Sequence, residues 1–451
     1  MSVKIYNTIA KEVQDLGPMG QKLNMFVCGP TVYDYIHIGN ARTFTVFDMV
    51  AKYLRYRGYG VTYLQNITDI DNKIIHKAHE SGRTAQEVAK EFENAFLEDV
   101  HALHITSVDT YARASDYVPE IIAQIKHLQE AGYAYAVPAV ELSEPDAVSS
   151  SDNQDVYFDV TRYEEKFSGE YGKLSNQLSN ELEEGVRVEL EKNKKGPRDF
   201  VFGPQYEIHG GGQDLIFPHH EAEIAQQQAA SGKVPFVQHW IHTGFLTTKS
   251  EKMSKSLGNI TPARELLKEY SPTALRFYLL SGHYRAPLDF SDQALRQAEA
   301  GVMRIHEFLE RLKLFEDHNP MDHSADKEIK DQFNALYKDL ITAMDDDLNT
   351  PKALGVLFDV IRLGNQYIDE QKIDLHSVKE ILYILDFYHR VMGIVPIRTT
   401  TIPEEVKTLV SERQEAKENK EFDKADQLRD QIAALGYQID DTPYGPLVKK
   451  K

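Results

Sequence analysis

The chain has 451 residues, a formal net charge of −19, 41% hydrophobic residues and 27% charged residues, which fits a globular protein of two or three domains. No stretch approaches the ~18–20 consecutive apolar residues that a membrane-spanning helix needs. The single cysteine, Cys28, excludes an internal disulfide. The acidic charge argues against general affinity for nucleic acid, although it permits a local basic track. Because the first residues lack an apolar signal core, we expect a cytoplasmic protein.

The N-terminal part of the chain predicts alternating strands and helices. Residues 22–28 are typical of a buried strand, residues 41–57 carry apolar side chains at helical spacing, and residues 61–64 predict a second strand. Strand, helix, strand implies a right-handed parallel unit and therefore an α/β sheet. Ligands of such sheets bind at the carboxyl ends of the strands. Three polar residues would lie there: Cys28, His37 and Thr68.

The rest of the chain has a mainly helical pattern. The predicted segments are, in order, amphipathic helix over 75–135, a polar loop over 137–153, short strands and charged turns over 156–200, a helix opened by Pro218 and running from Glu221 to Ala230, a helical bundle over 292–395, and one long helix from Pro403 to about Ala434.

Two short motifs far apart in the chain predict the two halves of one nucleotide site. The segment His37-Ile38-Gly39-Asn40 follows a strand and opens a helix, so backbone and imidazole can approach a triphosphate closely. The segment Lys252-Met253-Ser254-Lys255-Ser256 combines two cations and two hydroxyls with one apolar anchor, which suits a loop that closes over phosphates. Alone, the first is compatible with a polar turn and the second with a solvated loop. Their joint occurrence favours nucleotide chemistry.

A glycine-rich segment offers a further ligand contact. Three glycines stand between His209 and Asp214, directly after a strand-like stretch at 206–208. Glycines permit close backbone approach to a sugar or base, and Asp214 could accept hydrogen bonds from ribose hydroxyls. The alternative interpretation is an ordinary tight turn.

One helix start has the spacing of a metal site. His219 and Glu223 lie four residues apart and so share a helix face, and Cys28 could add a thiolate. The alternative is a helix whose first-turn acids complement its dipole and whose histidine is buried. Structural zinc takes four protein ligands, and this pattern supplies three.

Four basic residues near the C-terminus have helical spacing and predict one basic stripe: Arg413, Lys417, Lys420 and Lys424. The stripe would suit nucleic acid. Glutamates between them favour the alternative, a solvated helix with internal salt bridges: Glu412, Glu415, Glu418 and Glu421.

These motifs together resemble the cysteinyl-tRNA synthetases, which are class I aminoacyl-tRNA synthetases, over nearly the whole chain. Further segments that carry the resemblance are 28–34, 40–42, 66–71, 155–160, 171–175, 208–223 and 425–430. The resemblance implies an α/β fold: a Rossmann-type class I catalytic domain with an inserted connective domain, followed by an α-helical bundle and a small C-terminal anticodon-binding domain. The implied boundaries are 1–115 with 205–290 for the split catalytic domain, 116–204 for the connective domain, 291–400 for the bundle and 401–451 for the last domain.

The same resemblance implies an ATP-dependent ligase that forms an aminoacyl adenylate and transfers the acyl group to tRNA. Its partners would be ATP with Mg²⁺, an amino acid and tRNA, with tRNA-Cys expected, and Zn²⁺ as a further cofactor. It assigns adenylate formation to His37, Asn40, Lys252 and Lys255; ATP binding to Gly39, His209, Gly210, Gly211, Gly212, Asp214 and Lys255; the amino-acid pocket to Thr31 and Thr68; and three of four zinc ligands to Cys28, His219 and Glu223.

The sequence departs from the family between Phe200 and Ile208. The family has a longer segment there, which carries a cysteine as fourth zinc ligand and a tryptophan in the wall of the substrate pocket. This chain has no second cysteine, and its single tryptophan, Trp240, lies elsewhere. We therefore expect zinc to be weakly held or absent, and cysteine activation to be poor.

Two other functions are compatible with parts of the sequence. A paralogue could join an activated amino acid to a small amine, but such an acceptor needs no C-terminal module like the tail from 403 to 451. A non-catalytic tRNA-binding paralogue would not need both nucleotide motifs. A pyrophosphate-exchange assay beside a tRNA-charging assay separates the three.

Overall fold

The computed structural model describes residues 2–138, 154–176, 206–248, 251–252, 261–318, 327–395, 402–442 and 444–450. The chain separates into two compact units. The first comprises Met1–Glu269, Gly282–Phe290 and Asp345–Leu348; the second comprises Tyr270–Ser281, Ser291–Met344 and Asn349–Lys451. Within the described ranges, we find no helix with the length and apolar character that crossing a membrane requires.

The strands of the described residues are β1 (Lys4–Asn7), β2 (Glu12–Asp15), β3 (Lys22–Val27), β4 (Gly60–Ile67), β5 (Thr110–Arg113), β6 (Ala134–Pro138), β7 (Gln154–Phe158), β8 (Tyr206–Gly212), β9 (Val237–Thr243), β10 (Leu246–Thr248), β11 (Glu251–Lys252), β12 (Leu288–Asp289), β13 (Tyr437–Thr442) and β14 (Gly445–Lys450). The helices are α1 (Ile38–Tyr56), α2 (Asn72–Ser81), α3 (Ala85–Ala102), α4 (Val118–Glu130), α5 (Val160–Lys166), α6 (Glu221–Ser231), α7 (Ala263–Glu269), α8 (Pro272–Ser281), α9 (Asp292–His318), α10 (Lys327–Asp345), α11 (Thr350–Asp369), α12 (Leu375–Phe387), α13 (Glu404–Glu418) and α14 (Phe422–Ala434).

A five-stranded parallel sheet forms the centre of the first unit. Its strand order is β5-β4-β3-β8-β9, and the pairing of β3 with β8 sets Met25 opposite Ile208. One layer thus contains strands from both ends of the first unit's sequence. The predicted α/β class with a parallel sheet is confirmed. The edge strand β5 lies inside the stretch that we predicted as mostly helix.

Helix α1 connects β3 to β4 and packs against β4, β8 and β9. This strand–helix–strand unit confirms the sequence prediction, with bounds that differ by at most three residues at each end. Most of the helix is buried, including Arg42. The Arg42 guanidinium donates hydrogen bonds to four backbone carbonyls, those of Gly244, Phe245, His283 and Ala286, at 2.7–3.2 Å. Both terminal nitrogens of this buried charge are thereby matched by acceptors, and the arginine joins the segments at 244–245 and 283–286.

The second unit contains long amphipathic helices. Helices α9 to α12 occupy the region for which the sequence predicts a bundle, and this prediction is confirmed. In α10, for example, Ile329, Phe333, Leu340 and Met344 are buried, which is the three- and four-residue spacing of one apolar face.

The predicted single helix from Pro403 to Ala434 is wrong. Helix α13 ends at Glu418, and α14 begins at Phe422. Between them Lys420 has φ of +62°, a left-handed conformation that a continuous α-helix does not allow. The strands β13 and β14 then form an antiparallel pair at the end of the chain.

The break divides the predicted basic stripe. Arg413 and Lys417 lie on α13, and Lys424 lies on α14. Arg413 is buried, and both its terminal nitrogens bind Asp441 of β13, at 2.9 and 3.0 Å. Lys417 binds the same carboxylate at 2.9 Å. The hydrogen bonds from Arg413 hold the pKa of Asp441 well below its usual value. These two cations therefore join helix to hairpin.

We predict that Gly210→Ala destabilises the first unit by about 1–3 kcal/mol, as overpacking of a close contact does. An added Cβ would lie 2.1 Å from Cζ of Phe47 and 3.0 Å from the carbonyl oxygen of Ile241. The only tryptophan, Trp240, is buried in β9 beside this position, so urea unfolding followed by its fluorescence measures the effect locally. As a control, Gly355→Ala on α11 meets nothing within 4 Å and should leave the Trp240 transition unchanged. Equal midpoints for the two variants would contradict the close packing.

Candidate active site and metal cluster

A cavity of about 400 Å³ opens in the first unit beside the carboxyl ends of β3, β8 and β9. It is the place at which ligands bind in parallel α/β sheets. The predicted site residues that line it are Cys28, Thr31, His37, Gly39, Asn40, Gly212 and Asp214. The structure therefore brings together three segments that the sequence analysis assigned separately.

His37 and Asn40 form the start of α1. The Nδ1 atom of His37 accepts from the backbone N–H of Asn40 at 3.2 Å, and Oδ1 of Asn40 accepts from the backbone N–H of His37 at 3.4 Å. This reciprocal cap fixes both side chains at the positive end of the helix dipole. With Nδ1 accepting, the imidazole carries its proton on Nε2 and acts as a donor there.

The segments on either side of the second motif, residues 252–256, also lie close to this cavity. Strand β11, which ends at Lys252, pairs with β10, and Leu246 of β10 lines the cavity. On the other side, the carbonyl of Thr261 accepts from the N–H of Ile38 at 3.0 Å. Lys255 lies outside the described residues, as does the side chain of Lys252.

The two residues predicted to form the amino-acid pocket, Thr31 and Thr68, lie opposite each other in a short parallel bridge. Thr31 lines the cavity. Asn66 ties this region together, because its Oδ1 accepts from the N–H of Gly29 at 2.6 Å and its Nδ2 donates to Oγ1 of Thr68 at 3.2 Å. A side chain at Gly29 would place Cβ 1.7 Å from the carbonyl oxygen of Asn66, so glycine is required for this approach.

The predicted adenosine segment divides between two places. Gly212 and Asp214 line the cavity. His209 is fully buried, and its Nε2 lies 2.9 Å from Oε1 of Glu223. Gly210 packs against α1, and Gly211 packs against Leu215 and His220. Only the end of the segment thus faces the space in which a ligand fits.

Four potential metal ligands meet around Cys28, which lines the cavity. The donor atoms of Cys28, His219, His220 and Glu223 lie within 4.8 Å of one another. The Sγ of Cys28 is 3.4 Å from Nε2 of His219 and 3.3 Å from Nε2 of His220. Thiolate, imidazole and carboxylate are the ligands that Zn²⁺ takes in proteins. Oε2 of Glu223 is buried without a hydrogen-bond partner among the described residues, as expected of an atom that awaits a ligand.

Behind the cluster runs a chain of buried polar groups. The Nδ1 of His220 is 2.8 Å from Nε2 of His242, whose own Nδ1 is 2.8 Å from Oγ1 of Thr8. Burial, followed by repulsion from neighbouring histidines, holds the pKa of His220 well below its usual value. Burial also lowers the pKa of His242 to about 3. Both rings are therefore neutral at physiological pH.

Sequence reasoning missed His220 and His242. The pattern search assumed a regular helix, in which adjacent residues point about 100° apart. Residues Ile216–His220 instead form a π-helical turn in which Phe217 has extended dihedral angles. After this residue two consecutive histidines lie near the same sulfur, that of Cys28. A signal for His242 was present in the sequence, since it lies on the buried strand β9, which follows shortly after His220 in the chain.

The sequence matches three known protein-family models. The family model described as the tRNA synthetases class I (C) catalytic domain matches residues 16–203 and 201–300. The DALR domain matches 339–395, and the cysteinyl-tRNA ligase anticodon binding domain matches 399–444. The chain belongs to the cysteinyl-tRNA synthetase family. It is a class I aminoacyl-tRNA ligase, whose substrates are ATP, an amino acid and tRNA.

Relatives support this membership over the full length. The cysteine–tRNA ligase of Clostridioides difficile is 38% identical over 98% of this chain and 99% of the relative. That of Thermococcus onnurineus is 36% identical over 100% and 99%. The first alignment runs over 484 positions, more than this chain has residues, and the catalytic-domain match breaks at 201–203. Both findings agree with a segment missing between Phe200 and Ile208.

Solved structures of other class I enzymes share the fold. A Mycobacterium tuberculosis methionyl-tRNA synthetase in complex with methionyl-adenylate has a TM-score of 0.62 at 16% identity, covering 83% of this chain and 92% of that one. An Agrobacterium radiobacter K84 leucyl-tRNA synthetase in a ternary complex has a TM-score of 0.61 at 11% identity, covering 84% and 85%. These similarities confirm the class I architecture.

Proposed function

We propose that the cavity beside Cys28 is where this ligase forms its aminoacyl adenylate, and that the amino acid is cysteine. The observation that carries the proposal is one cavity that is lined by the capped start of α1, by the end of the glycine segment and by Cys28 of the metal cluster. ATP would span from α1 to Asp214, and the amino acid would occupy the wall formed by Cys28 and Thr31, with Thr68 behind it. We place the reaction in the cytoplasm, whose reducing conditions suit a chain with a single cysteine.

The chemistry requires positioning and charge stabilisation. The amino-acid carboxylate attacks the α-phosphate, pyrophosphate leaves, and the terminal ribose of tRNA then takes the acyl group. In this scheme no side chain acts as a nucleophile. His37 donates from Nε2 to the triphosphate, Asn40 holds that imidazole in place, and Gly39 leaves the backbone accessible at the positive end of α1. Mg²⁺ balances the remaining phosphate charge, as in other class I synthetases.

Lys252 and Lys255 would close the site over the phosphates. Support comes from the flanks of their motif, since Lys252 ends a strand beside the cavity and Thr261 hydrogen-bonds the first residue of α1. Five residues lie between Lys255 and Thr261, and an extended chain covers ~3.3–3.6 Å per residue. The Lys255 ammonium is therefore within reach of any phosphate held at His37.

We predict that Lys255→Ala slows ATP–pyrophosphate exchange on the order of 10²-fold or more, because a transition-state charge donor is lost. The matched control is Lys268→Ala on α7, an exposed lysine that pairs with Glu265 at 2.8 Å, which should keep full exchange. Unchanged exchange in the Lys255 variant would exclude this lysine from the reaction.

The C-terminal module is the proposed tRNA contact, supported by the match of 399–444 to the anticodon binding domain. Arg413 and Lys417 are engaged by Asp441, so the proposal shifts to Lys420 and Lys424, which are exposed at the turn between α13 and α14. Lys424 pairs only loosely with Glu421, at 3.4 Å. Because an exposed salt bridge contributes little free energy in water, a lysine can readily leave such a pair to bind a phosphate oxygen.

We predict that replacing Lys420 and Lys424 together by Gln weakens tRNA binding and reduces the slope of log K against log salt by up to about 2, one for each lost phosphate contact. ATP–pyrophosphate exchange without tRNA should be unaffected. Lys407→Gln, on the first turns of α13, is the control and should keep the wild-type slope. A double variant with unaltered affinity and slope would refute contact through this turn.

The two alternative functions can be tested with the same protein preparation. An enzyme that uses a small amine as acceptor would exchange pyrophosphate but fail to charge tRNA. A non-catalytic paralogue would bind tRNA without exchange. The match to the anticodon binding domain argues against the first alternative. The residues of the predicted nucleotide site that line one cavity together argue against the second.

We further propose Zn²⁺ as the metal of the cluster, held by Cys28, His219 and Glu223. The buried, unpartnered Oε2 of Glu223 and the soft sulfur donor support zinc over Mg²⁺, which prefers oxygen ligands. By the family resemblance, the ion would supply a Lewis-acidic contact for the substrate thiol and so separate cysteine from serine. The residues of this chain would hold the ion beside Cys28, which lines the cavity.

A further inference from the structure

We propose that His220 supplies the fourth zinc ligand in this chain, in place of the cysteine that the family carries in its missing segment. The set would be Cys28, His219, His220 and Glu223. The inference rests on the proposed function only in taking the metal to be zinc. It revises our expectation of weak zinc binding, which counted three ligands.

The distances fit a tetrahedral centre. Zn–S of about 2.3 Å and Zn–N of about 2.0–2.1 Å give a sulfur-to-nitrogen edge of about 3.5 Å. The Sγ of Cys28 lies 3.4 Å from Nε2 of His219 and 3.3 Å from Nε2 of His220. Both imidazoles therefore stand at the separation that a shared ion requires, and the binding of zinc needs only small adjustments.

Neighbouring histidines share one sulfur at the start of α6. His219 and His220 follow the kink at Phe217, and Glu223 lies in the first turn of α6 directly after them. The spacing of a helix places His219 and Glu223 on one face. The Nε2 atom of the adjacent His220 is nevertheless as close to the Cys28 sulfur as that of His219, at 3.3 and 3.4 Å, so the cluster has four ligands rather than three.

The surrounding hydrogen bonds present the correct atom of each ring. If Nδ1–H of His220 donates to Nε2 of His242, and Nδ1–H of His242 donates to Oγ1 of Thr8, then Nε2 of His220 keeps its lone pair towards Cys28. Orientation of a ligating histidine through its second nitrogen is usual in metal sites. On the other side, His209 donates to Oε1 of Glu223 and leaves Oε2 for the ion.

The sequence limits the competing ligands. Cys28 is the only cysteine of the chain, and residues 139–153 and 177–205 contain no histidine. Neither of these two stretches can therefore supply a sulfur or an imidazole to the cluster.

The exchange of a thiolate for an imidazole changes the charge of the centre. One thiolate and one carboxylate balance Zn²⁺, whereas the family set with a second thiolate carries one negative charge more. A neutral centre attracts an anionic sulfur more strongly than a negative one. The substitution therefore preserves, and by charge favours, recognition of a thiol substrate.

The test is the metal content and ligand shell of the resting full-length protein, purified without chelator. We expect one zinc per chain, and X-ray absorption at the zinc edge should show one sulfur and two imidazoles. In His220→Asn, which keeps a donor near the position of Nδ1 and removes Nε2, zinc affinity in a chelator competition should fall by about 10²-fold or more. His239→Asn on β9, whose ring bonds the carbonyl of Glu207, is the matched control and should retain zinc.

Several results would overturn the proposal. They are wild-type protein without zinc, a wild-type shell with a single imidazole, or a folded His220→Asn variant with unchanged affinity. Trp240 fluorescence reports whether the variant folds. If it does not fold, the zinc ligand shell of the wild-type protein still tests the proposal. None of these metal measurements uses ATP. A failure of adenylate formation is therefore detected separately, by pyrophosphate exchange.

Discussion

The site depends on the close parallel pairing of β3 with β8. The N–H of Cys28 donates to the carbonyl of Gly210 at 3.1 Å, which joins the end of one strand to a glycine of the other. Gly210 has no side chain, so Phe47 of α1 can pack directly on its backbone. This contact sets Cys28 against the turn that carries His219 and His220. Loss of the pairing would separate the sulfur from its imidazoles and the start of α1 from Asp214.

Rigid support surrounds the cavity on the α1 side. The buried guanidinium of Arg42 binds carbonyls of two separate segments, at 244–245 and at 283–286. Gly244 and Phe245 line the cavity themselves, so one side chain of α1 fixes part of its wall. The start of α1, where we propose that phosphate binds, and this part of the wall are thus held by the same helix. Such preorganisation is what a reaction without a protein nucleophile requires.

Local patterns predicted much of this structure. The strand at 22–28 and helix α1 carry periodic apolar residues and were each placed within three residues, and the bundle was placed as one region, 292–395. Elements determined by tertiary contacts were missed. Strand β5 has four residues and is defined by pairing with β4, and the break at Lys420 reflects a single positive φ. His220 was missed because its approach to Cys28 is a tertiary contact, which the hydrophobic pattern does not report. The motifs predicted residues that line the cavity, whereas the position of His220 beside Cys28 and the pairing of Arg413 with Asp441 depend on tertiary contacts.

The central claim is that one cavity selects cysteine through its metal cluster and activates it with ATP. The most direct measurement is ATP–pyrophosphate exchange with cysteine and with serine, on protein purified without chelator and on the same protein after zinc removal. We predict a preference for cysteine beyond the roughly 10²-fold that shape alone supplies, and its collapse when zinc is removed. Equal use of the two amino acids by zinc-loaded protein, or a preference that survives complete zinc removal, would contradict the account.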